Sequence, residues 1–131
     1  MTGLYHAVVR IDQHEARVFH FNRTEVKHVV VRPDHPTRHI HHKAGSIGSG
    51  HAAEDQNFYY HVSAALAAAE AILITGPANA KTELVKHIHT HEPRLVAHIA
   101  GIETVDHLSD KSLGAYARNY FRADHQVPLR S

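Results

Sequence analysis

The stretch Ala71-Ile72-Leu73-Ile74-Thr75 decides the fold of this chain. It is a short apolar run without polar alternation, which is typical of a strand buried on both faces of a parallel sheet. Gly76-Pro77 follows directly and breaks the run, because proline lacks the backbone donor that a sheet needs. The sequence therefore predicts a buried parallel strand, and its neighbours along the chain must supply the layers that cover it.

Helical spacing lies on both sides of this strand. Upstream, apolar residues recur at i, i+4, i+8 and i+11 among alanines, which favours a helix. These residues are Phe58, Val62, Leu66 and Ala69. Downstream, Asn79 is a candidate N-cap for a second helix through His89, and Pro93 marks its end. The residues that share its apolar face are Leu84, Val85 and Ile88.

The remaining segments predict four further strands and a last helix. Residues 6–12, 16–21 and 25–32 are rich in β-branched residues, and three-residue turns between them predict antiparallel hairpins. Residues 95–102 predict the fifth strand. Ser109 is expected to cap the last helix, with Asp110 in its first turn. The apolar face of that helix comprises Leu113, Tyr116, Ala117, Tyr120 and Phe121.

This element order is β-β-β-α-β-α-β-α. It predicts an α/β fold of the ribonuclease-H-like kind, with helices packed on one mixed five-stranded sheet. We expect a single domain over residues 1–123 and a loose C-terminal tail over 124–131. An edge strand containing Val29-Val30-Val31 could pair two copies of the chain, so a homodimer is a possible assembly.

Composition excludes several classes of protein. Among 131 residues there are 14 Lys and Arg, 13 Asp and Glu, 16 His and no Cys. Without cysteine the chain has no disulfide scaffold, no thiol nucleophile and no Cys-ligated metal site. No apolar run reaches the length of a membrane span, and we find no signal peptide, so a cytoplasmic location without membrane contact is expected.

Residues 33–51 predict a long loop that is basic and rich in glycine and histidine. Between positions 27 and 51 there are four basic residues and one acidic residue. This charge balance suits contact with an RNA backbone. It is equally compatible with a solvated surface loop. The loop lacks the GK[ST] ending of a phosphate-binding P-loop. The candidate RNA- or ribosome-binding residues are Arg38, His41, His42, Lys43, Gly45, Gly48, Gly50 and His51.

The histidines also suggest a metal site, although no cysteine and no HExxH motif support it. His39 and His41 lie in the loop, and His87 and His91 are spaced i, i+4 so that they can share one helix face. The alternative is a solvated loop together with histidines favoured near a helix C-terminus by its dipole. Both interpretations stay open at this point.

Asp12 could be one carboxylate of a two-metal nuclease, which needs several converging acids. The buried strand offers no acid, so a turn role for Asp12 in the first hairpin is favoured. Five aromatic residues could stack nucleic-acid bases, but their helical spacing favours core packing. These residues are Tyr59, Tyr60, Tyr116, Tyr120 and Phe121.

Four motifs in order resemble the middle domain of the archaeal and eukaryotic peptide-chain release factors and the Pelota-type ribosome-rescue proteins. They are IDQHEA (11–16), HHKAGS (41–46), ILITGPANAK (72–81) and IAGIETVD (99–106). The resemblance is closest to small bacterial relatives described as translational machinery components, and it spans about residues 5–122. It implies a ribonuclease-H-like fold and association with the ribosome or another RNA.

In release factors the corresponding loop carries Gly-Gly-Gln, which promotes peptidyl-tRNA hydrolysis. Here no glutamine follows Gly45 or Gly48, and Gln56 is the nearest one. The resemblance therefore implies a non-catalytic, release-factor-like protein in translation, and we expect no catalytic residues and no cofactor. The alternative functions are a histidine-based metal-binding protein and a hydrolase, acting on peptidyl-tRNA through His51 or on phosphodiesters through Asp12 and a metal.

Overall fold

The computed structural model describes residues 5–22, 24–33, 47–105 and 109–124, with the backbone alone over 47–55 and 122–124. Five strands and four helices lie in these ranges. In chain order they are β1 (His6–Ile11), β2 (Ala16–Phe21), β3 (Val26–Val31), α1 (Ile47–Leu66), β4 (Ala71–Gly76), α2 (Ala80–His91), α3 (Pro93–Val96), β5 (Ile99–Thr104) and α4 (Asp110–Asp124).

The strands form one mixed sheet in the order β3-β2-β1-β4-β5. β2 pairs antiparallel with both β1 and β3, as the short turns predicted. β4 lies between β1 and β5 and is parallel to both, so the apolar run is a buried parallel strand. Thr75 ends this run without an unsatisfied polar group, because its hydroxyl donates to the Val9 carbonyl oxygen at 2.8 Å. The predicted α/β fold with a mixed five-stranded sheet is confirmed.

Each face of the sheet has its own core. Alternate strand residues such as Val9 and Ile74 point to the face covered by α1 and α2. The intervening residues, such as Val8 and Leu73, point to the opposite face, against Phe121 of α4. Because side chains alternate along a strand, one sheet can bury both faces only when helices cover both.

Two predicted boundaries in this part of the chain differ from the structure. Residues 95 and 96 belong to α3 rather than to a strand, because Pro93 occupies the first turn of a helix, where its missing N–H costs nothing. β5 consequently begins at Ile99. α2 continues to His91, two residues further than predicted. Asn79 is the N-cap residue, but its side chain makes no capping hydrogen bond, because its backbone already has helical torsions.

The predicted loop ends earlier than residue 51. α1 begins at Ile47, so Gly48, Gly50 and His51 belong to the first turns of this helix. Glycine costs about 1 kcal/mol relative to alanine inside a helix. The alanine-rich segment that follows offsets this cost, because extending a helix that has already formed is much easier than starting one. Of the helices in the described ranges, none is long and apolar enough to cross a membrane.

Candidate functional site

Most of the predicted binding residues fall outside the described residues. These are Arg38, His41, His42, Lys43 and Gly45, together with the candidate metal ligand His39. The described elements nevertheless fix both ends of the segment that carries them. It leaves β3, an edge strand of the sheet, after Val31 and enters α1 at Ile47.

An exposed arginine lies beside the start of that segment. Arg32 has a side chain that is 65% exposed, and it donates to the Glu15 carboxylate at 3.2 Å. Such a surface ion pair contributes about 0–1 kcal/mol, so Arg32 can exchange this partner for another anion at little cost.

Two valines of β3, Val26 and Val29, are also exposed. The predicted edge position of this strand is confirmed, whereas the homodimer stays a prediction.

Asp12 is a turn residue, as favoured from the sequence. One carboxylate oxygen accepts from the backbone N–H groups of His14 and Glu15 at 2.7 and 3.0 Å, and the other accepts from Arg10 at 3.1 Å. Burial raises the pKa of Asp12, but these hydrogen bonds and the Arg10 charge outweigh burial and lower the pKa below 3.8. Both oxygens of the carboxylate thus serve the hairpin.

The aromatic residues divide between core and surface. Tyr59 and Phe121 are buried, and Tyr116 and Tyr120 are partly buried and pack against the core that contains Phe121. The core prediction is therefore correct for these four. It is wrong for Tyr60, which is 51% exposed, because consecutive residues of α1 point in different directions and only one can face the sheet.

Tyr60 borders an open depression of 510 Å³ between α1 and α2. Its lining comes from both helices: Gln56, Asn57, Tyr60, His87, His91 and Glu92. The predicted pair His87 and His91 is brought together here, with ring centroids 4.5 Å apart. Sequence reasoning missed the contribution of Gln56 and Tyr60, since α1 and α2 share no sequence signal that reports how they pack.

His87 is the buried member of this cluster, with 5% of its surface exposed. Its Nδ1 lies 2.7 Å from Gln56 Oε1. A carbonyl oxygen can only accept, so Nδ1 carries the proton and donates it, which leaves the lone pair on Nε2. Among the groups that the structure describes, none is a hydrogen-bond partner for that buried Nε2.

Burial lowers the pKa of His87 below 6.5, and the neighbouring His91 lowers it further, while Glu92 acts in the opposite direction. The imidazole is therefore neutral at pH 7, which fits its position against Tyr59 and beneath the depression. Over the described ranges, no group of three or more His, Cys, Asp or Glu side chains stands close enough to hold a metal ion.

We expect acid to weaken folding through His87. In the unfolded chain its pKa is about 6.5, and in the folded protein it is lower, so the unfolded state takes up the proton first as pH falls. The free energy of unfolding should therefore decrease below pH 6.5, by up to about 1.4 kcal/mol per pH unit from this residue, until the folded-state pKa is passed.

Urea denaturation between about pH 5 and 8, compared for the wild type and His87→Leu, measures this component. The slope should be shallower in the variant. His89→Leu is the matched control, since His89 is exposed on the same helix. Parallel profiles for wild type and His87→Leu would contradict the prediction.

Comparisons with known proteins support the fold. No protein-family model and no curated protein match the sequence. Among solved structures, the chain is similar to archaeal translation termination factor aRF1, with 13% identity, a TM-score of 0.59 and coverage of 93% of this chain and 34% of that chain. It is also similar to Archaeoglobus fulgidus Pelota, with 12% identity and a TM-score of 0.58 over 92% of this chain and 36% of that chain.

Saccharomyces cerevisiae Dom34 is a third similar structure, with 12% identity, a TM-score of 0.58 and coverage of 91% of this chain and 33% of that chain. The chain thus spans about a third of the length of each similar protein. Its resemblance to a release-factor domain is confirmed at the level of the fold.

Proposed function

We propose that this chain is a translation-associated protein that binds the ribosome or another RNA and does not catalyse peptide release. The observation that carries the proposal is the structural similarity of more than nine-tenths of this chain to a translation termination factor and to a termination-like factor. aRF1 is a translation termination factor, and Dom34 is a termination-like factor involved in RNA quality control. A shared fold alone does not carry function, so the proposal needs residues of this chain as well.

The basic segment between β3 and α1 supplies these residues. Arg38 and Lys43 are its two cations, and the adjoining Arg32 is exposed. Arginine and lysine provide most of the affinity of proteins for nucleic-acid backbones, since phosphate contacts release bound counterions. Attachment to the edge of the sheet at one end and to a long helix at the other suits a segment that contacts a partner outside the domain.

A non-catalytic role agrees with the surroundings of Gln56. This is the glutamine nearest to the segment, and release factors resembling this chain use a glutamine there. Gln56 lies within α1, and its side-chain oxygen accepts a hydrogen bond from His87 Nδ1. A glutamine held between two helices of the domain is poorly suited to orient a water molecule in a distant peptidyl-transferase centre.

The proposal is tested by removing the two cations of the segment. For the double variant Arg38→Ala/Lys43→Ala we expect ribosome affinity roughly tenfold lower at 0.1 M salt, and a salt slope smaller by about 1.4, if each cation contacts one phosphate of single-stranded RNA. Cosedimentation with ribosomes at several salt concentrations measures both. Substitutions are preferable to deleting residues 38–50, because that deletion would remove the first turn of α1.

Lys86→Ala/Lys111→Ala is the matched control, because both lysines are exposed on helices and the variant loses the same charge. It should pellet like the wild type. Equal weakening in both double variants would mean that only net charge matters, and equal pelleting of all three proteins would refute the role of the segment.

The hydrolase alternative is decided with the same ribosomes. Stalled complexes that carry labelled peptidyl-tRNA are incubated with the wild-type protein, and free peptide is counted. We expect no release above that in buffer. Release that disappears in His51→Ala would reverse the assignment and make the protein an enzyme.

A further inference from the structure

We propose that His87 and His91 bind one divalent transition-metal ion of the zinc and copper class in the depression between α1 and α2. The lining residues of this site all come from α1, α2 and the residue that follows α2, and the inference does not depend on the proposed function. The argument rests on the geometry of the two imidazoles, on the hydrogen bond that orients one of them, and on the chemistry of the lining.

The spacing of the two histidines allows them to share one ion. They are one helical turn apart on α2, and their ring centroids lie 4.5 Å apart with an angle of 38° between the rings. Residues spaced i, i+4 lie one above the other on a helix face. With the ring centres this close, one nitrogen of each ring can reach a common ion at metal–nitrogen distances of about 2.0–2.1 Å after side-chain rotation.

Gln56 prepares His87 for this role. Histidines that bind metals almost always donate their second ring N–H to a carbonyl or carboxylate, which fixes the tautomer and the ring orientation. His87 Nδ1 donates to Gln56 Oε1 at 2.7 Å, and the lone pair therefore remains on Nε2. That nitrogen is buried and lacks a partner among the described groups, a costly state that a bound ion would relieve.

The rest of the lining suits a cation. Glu92 brings a carboxylate to the depression, and the lining residues that the structure describes include no lysine or arginine. Imidazole ligands select zinc, copper and nickel over magnesium and calcium. With two protein imidazoles the ion keeps positions for water or a small ligand, which open depressions of this kind can admit.

Calorimetric titration of the full chain with Zn²⁺, after treatment with a chelator, tests the site. The wild type should bind one ion in its highest-affinity step. His91→Gln should lose that step, and His91 is exposed, so the variant keeps its fold. Gln56→Leu should weaken binding by about tenfold through loss of the orienting hydrogen bond. Zn²⁺ should raise the Tm of the wild type and leave that of His91→Gln unchanged.

Two controls separate this site from the other histidines. His89→Gln, on the same helix but two residues from His87, should bind like the wild type. The background variant His39→Gln/His41→Gln/His42→Gln removes the histidines of the basic segment and should retain the high-affinity step. The proposal would be overturned if the triple variant lost the high-affinity Zn²⁺ binding step. It would also be overturned if His89→Gln and His91→Gln lost Zn²⁺ affinity equally.

Discussion

Gly76→Ala should destabilise the protein by about 3 kcal/mol, because a methyl group at this position has no room. Gly76 ends β4, and a Cβ built there would overlap the carbonyl oxygen of Ile11 in β1. The overlapping atom is backbone of a neighbouring strand, so no side-chain rotation can relieve the clash. Overpacking of this kind costs about 1–3 kcal/mol, and occasionally more, since strands must shift apart.

The same shift would weaken the pairing of β4 with the end of β5. Gly76 accepts a hydrogen bond from the Val105 N–H at 3.2 Å, which joins the ends of β4 and β5. Displacement of Gly76 stretches this bond as well. Thermal and urea unfolding measure the loss, and for a chain of this size about 3 kcal/mol corresponds to a fall in Tm of roughly 10 °C.

Gly114→Ala is the matched control, because it is the same substitution in an open place. Gly114 lies inside α4, and a Cβ built there meets no atom of the described residues within 4 Å. Alanine favours a helix over glycine by up to about 1 kcal/mol, so this variant should be slightly more stable than the wild type. Equal stability changes of one sign at both glycines would contradict the steric account.

Phe121→Ala should cost about 4 kcal/mol, the second large effect. The side chain is fully buried where α4 meets the sheet. Its ring lies 4.8 Å from the His6 ring and 6.2 Å from the Phe21 ring, measured between centroids. Truncation of a buried phenylalanine removes its apolar burial and leaves a cavity, and such changes cost about 3–5 kcal/mol.

Two variants control for the Phe121 experiment. Tyr60→Ala truncates an aromatic side chain on α1 that is half exposed, and it should cost much less. Phe121→Leu keeps most of the volume and should cost less than about 1.5 kcal/mol. Urea denaturation measures the three variants Phe121→Ala, Phe121→Leu and Tyr60→Ala. Their free energies of unfolding can be compared when the m-value is the same in each. A loss in Phe121→Ala no larger than in Tyr60→Ala would mean that α4 contributes little to the second core.

Much of the fold could be predicted from local patterns. The apolar run 71–75 and the periodicity of α4 indicate which residues are buried, and the hairpin spacing indicates which strands pair. Each pattern is local, and the structure agrees with all three. Boundaries were less predictable, because they depend on competition between neighbouring elements. The start of α1 at Ile47 is an example, since helix propagation from the alanine-rich part overrides the glycines there.

The candidate site was predictable only in part. The i, i+4 spacing identifies His87 and His91 as a pair from the sequence alone. The partnership of His87 with Gln56 joins positions 31 residues apart, and no local pattern records it. The basic segment with Arg38 and Lys43 stays a prediction from composition and resemblance, and the ribosome experiment is its test.

The sequence by itself determined which segments become strands and helices, because hydrophobic periodicity is a local property of the chain. Only the tertiary structure decided which polar groups meet. Packing of α1 against α2 buries His87 and leaves Tyr60 at the surface, and packing of β4 against β1 leaves no room for a side chain at Gly76. The physical reason is that desolvation and steric overlap depend on neighbours distant in the chain, and those neighbours exist only after the layers have assembled.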